Sequence, residues 1–245
     1  MKMKDQAAII TGAASGIGRA TARRLAEDGA KMILFYYNEK TLHETLELVK
    51  GQGAEAHAVV VDVSDSGSVH GYVQTAIESF GRVDLFHNNA GILQVPGPLH
   101  ESSIEDFDQI VAVNLRGAFM GMKYVLEQMM LQGSGAIVNT ASHAAIRAEP
   151  SMGMYAATKH ALAGLTVTAA SEYGRHGLRI NAVCPGGVKT AMTAGMPESA
   201  DLSGFGPMQR MAEPEEIAAT VAFLLSDEAS YINGVLLPVD GGLAV

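Results

Sequence analysis

Short apolar runs alternate with longer segments of helical periodicity along the chain, and this alternation narrows the possible folds more than any other feature. The runs are rich in Val and Ile and continuously apolar, which is typical of strands covered on both faces. They span 7–11, 32–37, 58–62, 83–88, 136–140, 179–184 and 235–239, and the helical segments centre on 17–28, 40–50, 66–80, 104–131, 152–175 and 214–225. The pattern predicts an α/β fold, a doubly wound seven-stranded parallel sheet flanked by helices.

The composition suits one globular domain. Apolar residues make up 48% and charged residues 18% of the 245 residues, which allows a large core and argues against disorder. No linker or repeat divides the chain, so residues 1–245 are expected to form a single domain. The net charge of −9, without any run of Lys and Arg, argues against a nucleic-acid partner.

The single cysteine, Cys184, excludes an internal disulfide and a zinc site built on cysteine pairs, and no metal is expected. No apolar run reaches the roughly 18 residues that cross a bilayer, and the first residues lead into a strand-like segment rather than a signal peptide. We therefore expect a soluble, cytoplasmic protein without a membrane partner.

Tyr155 and Lys159 lie four residues apart in a segment of helical periodicity. Residues at this spacing project from the same helix face, so the phenol and the ammonium group are expected side by side. A neighbouring cation stabilises phenolate and lowers the pKa of a tyrosine, ordinarily about 10, towards neutral pH. The pair indicates a general acid and base. A surface tyrosine beside a lysine, which occurs by chance on many helices, is the alternative.

A glycine-rich loop follows the first predicted strand, at the edge of the sheet where such folds bind ligands. Its sequence, TGAASGIGR over residues 11–19, places three glycines between a strand and a helix. Glycines let the backbone approach a ligand closely, and the free amides of a helix N-terminus attract a pyrophosphate. A P-loop is excluded because no Gly-Lys-Ser or Gly-Lys-Thr follows. The loop indicates phosphate binding, with close helix packing as the alternative.

Together these motifs resemble those of the classical short-chain dehydrogenases and reductases. The glycine loop is similar to the family's cofactor loop, and the Tyr155-x-x-x-Lys159 spacing matches its active site. Further family motifs follow in order over essentially the whole chain: Asp62, Asn88-Asn89-Ala90-Gly91, Asn114, Ser142, Pro185-Gly186 and Asp240-Gly241-Gly242. The resemblance implies a Rossmann-type domain that moves a hydride between a nicotinamide cofactor and an alcohol or ketone.

The resemblance assigns catalysis to four residues. Tyr155 is implied to exchange a proton with the substrate oxygen, Lys159 to lower the pKa of that phenol and bind the nicotinamide ribose, and Ser142 to stabilise the substrate oxygen. Asn114 is implied to hold a water that relays the proton from Lys159 to solvent. A satisfied structural amide is the alternative, because Asn114 belongs to a helix face that is expected to be buried: Phe107, Val111, Asn114, Ala118, Met122, Val125 and Met129.

The same resemblance implies a set of cofactor residues. Asp62 and the Val63 amide are expected at the adenine, although the stretch from Asp62 to Asp65 serves equally well as a helix N-cap. Residues 89–91 are expected along the ribose, unless the asparagines simply tie strand ends together. The full set is Gly12, Ser15, Gly16, Ile17, Gly18, Tyr36, Asp62, Val63, Asn89, Ala90, Gly91, Tyr155, Lys159, Pro185, Gly186, Val188 and Thr190.

The end of the second strand bears on the choice between NAD and NADP. An acidic residue here selects NAD through the ribose hydroxyls, and a basic residue accommodates the phosphate of NADP. Tyr36 and Tyr37 stand at these positions instead, and Ser15 replaces the basic residue common before the second glycine in NADP-preferring relatives. The absence of positive charge favours NAD, with NADP possible if Lys40 folds back towards the site.

The segment 191–213 is irregular and carries several apolar residues, so it is expected to be a substrate-binding loop. His143 has no acidic residue nearby in sequence to orient it and is expected to line the pocket. A serine hydrolase is not indicated, since Gly-x-Ser-x-Gly is absent around Ser142. The expected substrate residues are Ser142, His143, Val95, Met154, Met192, Met196 and Phe205.

The sequence thus predicts an oxidoreductase that acts on a mainly hydrophobic secondary alcohol or its ketone. One alternative is an NADPH-dependent 3-oxoacyl carrier-protein reductase, which needs a basic patch for its acidic partner, whereas the helix end at 128–132 is uncharged. Another is a dinucleotide-binding regulator that has lost catalysis. Enoyl reductases are disfavoured because they space Tyr and Lys more widely. The resemblance also implies a homotetramer.

Overall fold

A computed structural model describes residues 3–194 and 206–244. Its seven strands form one parallel sheet in the order β3-β2-β1-β4-β5-β6-β7. The strands are β1 (Ala7–Thr11), β2 (Lys31–Tyr36), β3 (Ala56–Val60), β4 (Leu85–Asn88), β5 (Gly135–Thr140), β6 (Leu178–Pro185) and β7 (Leu236–Val239). The predicted doubly wound, seven-stranded α/β fold is confirmed.

The strand order reverses between β1 and β4. The chain moves outward from β1 to β3 and then crosses to the other side of β1, where Ala8 of β1 pairs with Leu85 of β4. Because the loops after β1 and β4 leave in opposite directions, a crevice opens at their carboxyl ends. This crevice is where the functional residues are expected.

Helices cover both faces of the sheet. They are α1 (Gly16–Glu27), α2 (Glu39–Gly51), α3 (Ser66–Phe80), α4 (Ile104–Val111), α5 (Ala118–Gln132), α6 (Gly153–Tyr173) and α7 (Pro214–Leu225). Leu25 of α1, Leu42 of α2 and Ile217 of α7 pack in one apolar cluster. Tyr72 of α3 and Val125 of α5 belong to a second cluster on the other face. None of the helices among the described residues is long and apolar enough to cross a membrane.

The predicted long helix over 104–131 is interrupted by a π-helical segment at Ala112–Gly117. A π-helical turn contains an extra residue, so the helix before it is rotated relative to the helix after it. The expectation that Phe107 and Val111 share the buried face of this helix is therefore wrong: Phe107 is 42% exposed and Val111 is only partly buried. From Asn114 onwards the predicted face is buried.

The third strand ends at Val60 rather than at residue 62. The Asp62 carboxylate accepts hydrogen bonds from the backbone N–H and the hydroxyl of Ser64, at 2.8 and 2.7 Å, which turns the chain out of the strand. The N-cap of α3 is Asp65, whose carboxylate accepts from the Ser68 N–H at 2.7 Å. Asp62 is thus an exposed turn residue, not the helix cap.

Part of the segment 191–213 lies outside the described residues, including Met196 and Phe205. Its base is fixed, since the Lys189 N–H donates to the Ala212 carbonyl and the Ala212 N–H to the Gly187 carbonyl, both at 2.9 Å. A short 3₁₀ turn at Ala191–Thr193 follows Thr190. These hydrogen bonds and the turn fix the position of Thr190 beside the crevice.

Candidate active site

Polar side chains tie together the strand ends that border the crevice. The Thr11 hydroxyl accepts hydrogen bonds from the backbone N–H groups of Asn89 and Ala90, at 2.9 and 3.0 Å, and the Asn89 amide donates to the Thr11 carbonyl at 3.1 Å. The Asn88 amide donates to the side chain of Asn139 at 2.9 Å. Both asparagines therefore join neighbouring strands, the structural role left open by the sequence.

The glycine loop lies at the start of α1, where its backbone can approach a ligand closely. Gly12 and Gly16 have φ angles of +68° and +47°, which side chains disfavour. A Cβ on Gly16 would lie 2.8 Å from the Thr190 methyl group, and a Cβ on Gly18 would overlap the Gly12 carbonyl oxygen. Gly18 thus serves close packing. Ser15 makes no side-chain cap, so the first amides of α1 are available to a phosphate and the loop fits a dinucleotide.

The three predicted reactive side chains converge at the carboxyl end of β5. Tyr155 and Lys159 lie on α6, with the Lys159 Nζ 5.5 Å from the centre of the Tyr155 ring. The Ser142 hydroxyl, in the loop after β5, accepts from the Ala144 N–H at 3.1 Å and lies close enough to the Tyr155 hydroxyl to lower the pKa of that phenol. The buried Lys159 ammonium donates to the Thr140 carbonyl at 2.8 Å, which fixes it at the sheet edge. The sheet edge and one helix thus build the site together.

Burial determines the charge of these groups. It raises the pKa of Tyr155 to about 12, the Ser142 hydrogen bond lowers that pKa, and the Glu149 charge raises it. Burial lowers the pKa of Lys159 to about 8. The expected lowering of the tyrosine pKa is thus not observed, because desolvation of the phenolate is the largest effect on it. At neutral pH Tyr155 is a neutral phenol, the form that donates a proton.

Asn114 lies in the π-helical segment and is buried. Its side chain accepts from the Ile92 N–H and donates to the Ile92 carbonyl, both at 2.8 Å, so it holds the loop after β4. A Cβ on Gly91 would lie 3.3 Å from the Asn114 Oδ1 and 3.6 Å from the Lys159 Nζ. Asn114, Lys159 and the Gly91 backbone therefore meet at one point. The amide is satisfied by backbone, and its role in a proton relay stays a prediction.

Gln94 is a site residue that the sequence analysis missed. Its buried side chain accepts from the Tyr155 backbone N–H at 2.7 Å and donates to the Ser151 carbonyl at 3.2 Å. Met152, at the N-cap of α6, offers no side-chain cap, so Gln94 satisfies one of the free amides that begin this helix. The sequence offers no signal for this contact, because Gln94 lies 61 residues before Tyr155 and Ser151 directly precedes the predicted helical segment.

His143 does have an acidic partner, contrary to expectation. Its Nε2 pairs with the carboxylate of Glu149, six residues later. The turn at His143–Ala145 reverses the chain direction, so the two side chains meet although they are separated in sequence. Glu149 also lies close enough to raise the pKa of Tyr155. The sequence analysis missed this pair because it considered only immediate neighbours.

The other predicted substrate residues are spread around the crevice. Val95 is 86% exposed, Met192 is about half-exposed and Met154 is buried. Val188 is buried beside the crevice, in an isolated parallel bridge with Ala212. Their contact with a substrate or cofactor stays a prediction. Pro185 closes β6, Gly186 and Val63 are partly buried in the loops that follow their strands, and Ile17 is partly buried in the first turn of α1.

The end of β2 carries two packed tyrosine rings. The Tyr36 and Tyr37 rings lie 4.5 Å apart, and burial raises the pKa of Tyr36, with Tyr37 and Ser15 near enough to its hydroxyl to affect that pKa. Arg19, a nearby cation, donates to the Thr45 hydroxyl at 2.9 Å and forms an ion pair with Glu44 at 3.1 Å. The Arg19 guanidinium is therefore held by α2.

A parallel sheet of this strand order, with a glycine loop after β1 and a Ser–Tyr–Lys set at its carboxyl edge, defines a dinucleotide-dependent oxidoreductase. Comparison with known proteins supports this assignment. Residues 12–244 match a family model described as enoyl-(acyl carrier protein) reductase. The chain is 44% identical to levodione reductase of Leifsonia aquatica, covering 98% of this chain and 95% of that one.

One further relative and two crystal structures extend the comparison. Cyclohexanol dehydrogenase of Acinetobacter sp. strain SE19 is 38% identical over 98% of this chain and 95% of its own. The crystal structure of levodione reductase has a TM-score of 0.95 and covers 99% of this chain and 98% of its own. The crystal structure of NAD⁺-bound xylitol dehydrogenase is 34% identical in sequence and has a TM-score of 0.93. The match covers 99% of this chain and 100% of that chain.

The chain belongs to the short-chain dehydrogenase/reductase family. It is an NAD(P)-dependent alcohol dehydrogenase or ketone reductase, as the sequence predicted. The residues at the crevice fit a nicotinamide cofactor, since the first amides of α1 are left free for a pyrophosphate.

Proposed function

We propose that this single-domain enzyme uses NAD to interconvert a mainly hydrophobic secondary alcohol, in particular an alicyclic one, and its ketone. The observation that carries the proposal is the convergence of Ser142, Tyr155 and Lys159 at the crevice, with Ser142 near enough to the Tyr155 hydroxyl to lower its pKa and the Lys159 Nζ 5.5 Å from the centre of the Tyr155 ring. The bound nicotinamide supplies or accepts the hydride. The protein orients the substrate and transfers the proton.

Each catalytic side chain has a distinct task. In ketone reduction, Tyr155 as a neutral phenol donates its proton to the carbonyl oxygen, and Ser142 stabilises that oxygen by a hydrogen bond. The Lys159 charge stabilises the phenolate that remains, and its ammonium also serves to hold the nicotinamide ribose. Asn114, next to Lys159, continues the relay towards solvent through a water molecule. In oxidation the proton moves in the opposite direction.

The pocket around Tyr36 supports NAD rather than NADP. A 2′-phosphate needs a free cation, whereas Arg19 is engaged by Thr45 and Glu44 and the ring pair of Tyr36 and Tyr37 carries no charge. A neutral phenol suits ribose hydroxyls, since it both donates and accepts hydrogen bonds. The glycine loop, the strand ends and Thr190 then hold the rest of the cofactor. NAD⁺-bound xylitol dehydrogenase is a relative consistent with this choice.

Fluorescence titration with NADH and NADPH tests the cofactor choice without requiring turnover. We expect NADH to bind at least about tenfold more tightly, and Tyr37→Arg to improve NADPH binding by about tenfold or more, because a charge-assisted hydrogen bond contributes about 1.5–3 kcal/mol. Lys40→Ala is the matched control and should leave the preference unchanged. Tighter binding of NADPH by the wild-type protein, lost in Lys40→Ala, would show that Lys40 reaches the phosphate.

The substrate class is supported by the names of the relatives and by the apolar residues near the crevice. Cyclohexanol dehydrogenase and 2,5-dichloro-2,5-cyclohexadiene-1,4-diol dehydrogenase of Sphingobium indicum, 36% identical, are named for six-membered rings. The test is reduced-nicotinamide absorbance with cyclic, aliphatic, aryl, steroid and sugar alcohols. Tyr155→Phe should lower kcat by about 100-fold or more. Wild-type turnover by this variant would contradict the mechanism.

The alternatives give different results in the same assay. Efficient reduction of acyl thioesters with NADPH would favour a 3-oxoacyl carrier-protein reductase. Binding of NADH without turnover of any alcohol or ketone would favour a regulator, which the intact set of Asn114, Ser142, Tyr155 and Lys159 argues against.

We also infer a cytoplasmic homotetramer assembled through α4, α5 and α6. Val111, Leu115, Phe119 and Leu165 border a mostly apolar surface depression of about 590 Å³ between α5 and α6. Phe119 is about half-exposed, and burial of such an apolar surface stabilises an interface. Light scattering should give four times the monomer mass of 25.7 kDa, and Phe119→Glu should yield smaller species. A wild-type monomer would contradict this inference.

A further inference from the structure

A second polar pair lies beside the reactive hydroxyls and has no task in proton transfer. His143 directly follows Ser142, and its imidazole pairs with the Glu149 carboxylate. Glu149 in turn lies close enough to the Tyr155 hydroxyl for its charge to affect that phenol. The side chains of His143 and Glu149 are 18% and 31% exposed, so the pair lies at the surface of the crevice rather than in the core.

The ion pair between His143 and Glu149 contributes little to the stability of its segment. Backbone hydrogen bonds already hold its segment: the N–H groups of Ile146 and Arg147 donate to the His143 carbonyl at 3.0 Å each, and the Met152 N–H donates to the Glu149 carbonyl at 3.1 Å. A partly exposed ion pair adds about 0–1 kcal/mol. The Glu149 charge also opposes phenolate formation at Tyr155, against the needs of alcohol oxidation. A carboxylate placed here is better explained by a role in binding.

The carboxylate fixes the hydrogen-bonding state of the imidazole. Glu149 accepts at Nε2, so Nε2 carries a proton, and Nδ1 is an acceptor in the neutral ring and a donor in the charged ring. Nδ1 has no hydrogen-bond partner among residues 3–194 and 206–244. A hydroxyl group both donates and accepts, so it pairs with Nδ1 in either state. A carbonyl oxygen pairs only with the charged ring.

We propose that His143, oriented by Glu149, binds a second hydroxyl group of the substrate, so that the enzyme prefers a diol or a hydroxyketone to the corresponding simple alcohol or ketone. The proposal rests on the proposed function and names the substrate class of that same site. Ser142 and Tyr155 hold the reacting oxygen, and His143 holds the other. His143 is thus a specificity-determining residue and takes no part in proton transfer.

Steady-state kinetics with matched alcohols test the proposal. The probes are cyclohexanol and cyclohexane-1,2-, 1,3- and 1,4-diol with saturating NAD, and the measured quantity is kcat/KM per reacting hydroxyl. We expect at least one diol to exceed cyclohexanol by about tenfold, the equivalent of about 1.4 kcal/mol. In His143→Leu the ratio of diol to cyclohexanol should fall to about one. In Glu149→Gln it should fall partway, because the imidazole is held less firmly.

A ratio of substrates, rather than a rate, separates recognition from general damage. His43→Leu, which replaces an exposed histidine on α2, is the matched control and should keep the wild-type ratio. If His143→Leu does not fold, the proposal is still tested by the ratio of diol to cyclohexanol in the wild-type protein and in Glu149→Gln. A wild-type ratio at or below one for all three diols overturns the proposal, as does an unchanged ratio in His143→Leu. Failure to turn over any alcohol or ketone, despite NADH binding, overturns the proposed function as well.

Discussion

Gln94 should control the position of Tyr155, and Gln94→Leu tests this. The side chain lies 61 residues before Tyr155 in sequence, yet its oxygen accepts the Tyr155 N–H at 2.7 Å and its amide donates to the Ser151 carbonyl at 3.2 Å. Leucine has a similar volume and makes neither hydrogen bond. The substitution therefore leaves a helix-initiating N–H without a partner, at the residue that carries the reactive hydroxyl.

The expected loss of stability follows from these two hydrogen bonds. Each contributes about 0.5–1.5 kcal/mol, and an unsatisfied, partly buried N–H costs a further 1 kcal/mol or so, for a total of about 2–4 kcal/mol. In a chain of this size each kcal/mol corresponds to a change in Tm of about 2–4 °C, so Tm should fall by about 4–16 °C. Fraying of the first turn of α6 should also displace Tyr155 and lower kcat by about tenfold or more.

Differential scanning calorimetry and alcohol oxidation with NAD measure the two effects. Gln94→Glu is the matched control, because it keeps the acceptor for the Tyr155 N–H, loses only the donor to Ser151 and places a negative charge at a helix N-terminus, where it is favourable. We expect its Tm to lie above that of Gln94→Leu. If Gln94→Leu keeps both the wild-type Tm and the wild-type kcat, Gln94 does not position Tyr155 and the reasoning is refuted.

Three further predictions concern the lysine, the glycine loop and the pH dependence. Burial lowers the pKa of Lys159 from 10.5 to about 8, so the charged form destabilises the native state, and the wild-type protein should gain stability as pH rises from about 8 to 10.5. Lys159→Met should therefore be inactive but have a higher Tm than the wild type at pH 7, with a smaller difference at pH 10; a lower Tm at both values would contradict this. Gly18→Ala would push a Cβ into a backbone carbonyl of the glycine loop and should weaken NADH binding by fluorescence about tenfold or more, while Gly71→Ala, which meets no atom within 4 Å, should bind NADH normally. Glu149 raises the pKa of Tyr155, so Glu149→Gln should move the acid limb of the oxidation rate to lower pH by about one unit or less, and a shift to higher pH would count against the proximity of the two groups.

The order of the elements and the identity of the main reactive residues follow from the sequence alone. Continuous apolar runs between helical segments predict a parallel sheet, because a strand covered on both faces has no polar side. The strand over residues 7–11 has the predicted bounds. The family motifs predict Ser142, Tyr155 and Lys159 as the catalytic set, since their spacing on one helix and one strand end is a local property of the chain.

The tertiary structure alone determined the partners of these residues. Gln94 and Tyr155, Lys159 and Thr140, and His143 and Glu149 meet only after the sheet edge, the loops and α6 are assembled. Hydrogen-bond partners of polar groups depend on distance in space, which periodicity does not encode. The turn of the helix at Asn114 is another such case, because a π-helical segment changes the phase of a helix without an obvious sequence signal.

The protonation of Tyr155 and Lys159 shows most clearly what the sequence determines and what only the fold determines. From the sequence, a lysine four residues from a tyrosine predicts a lowered phenol pKa, and that prediction considers only the charge of one neighbour. In the folded chain, burial raises the pKa of Tyr155 to about 12 and lowers that of Lys159 to about 8. The sequence by itself determined which groups are expected to react, and only the tertiary structure decided their protonation, because desolvation depends on every atom that surrounds them.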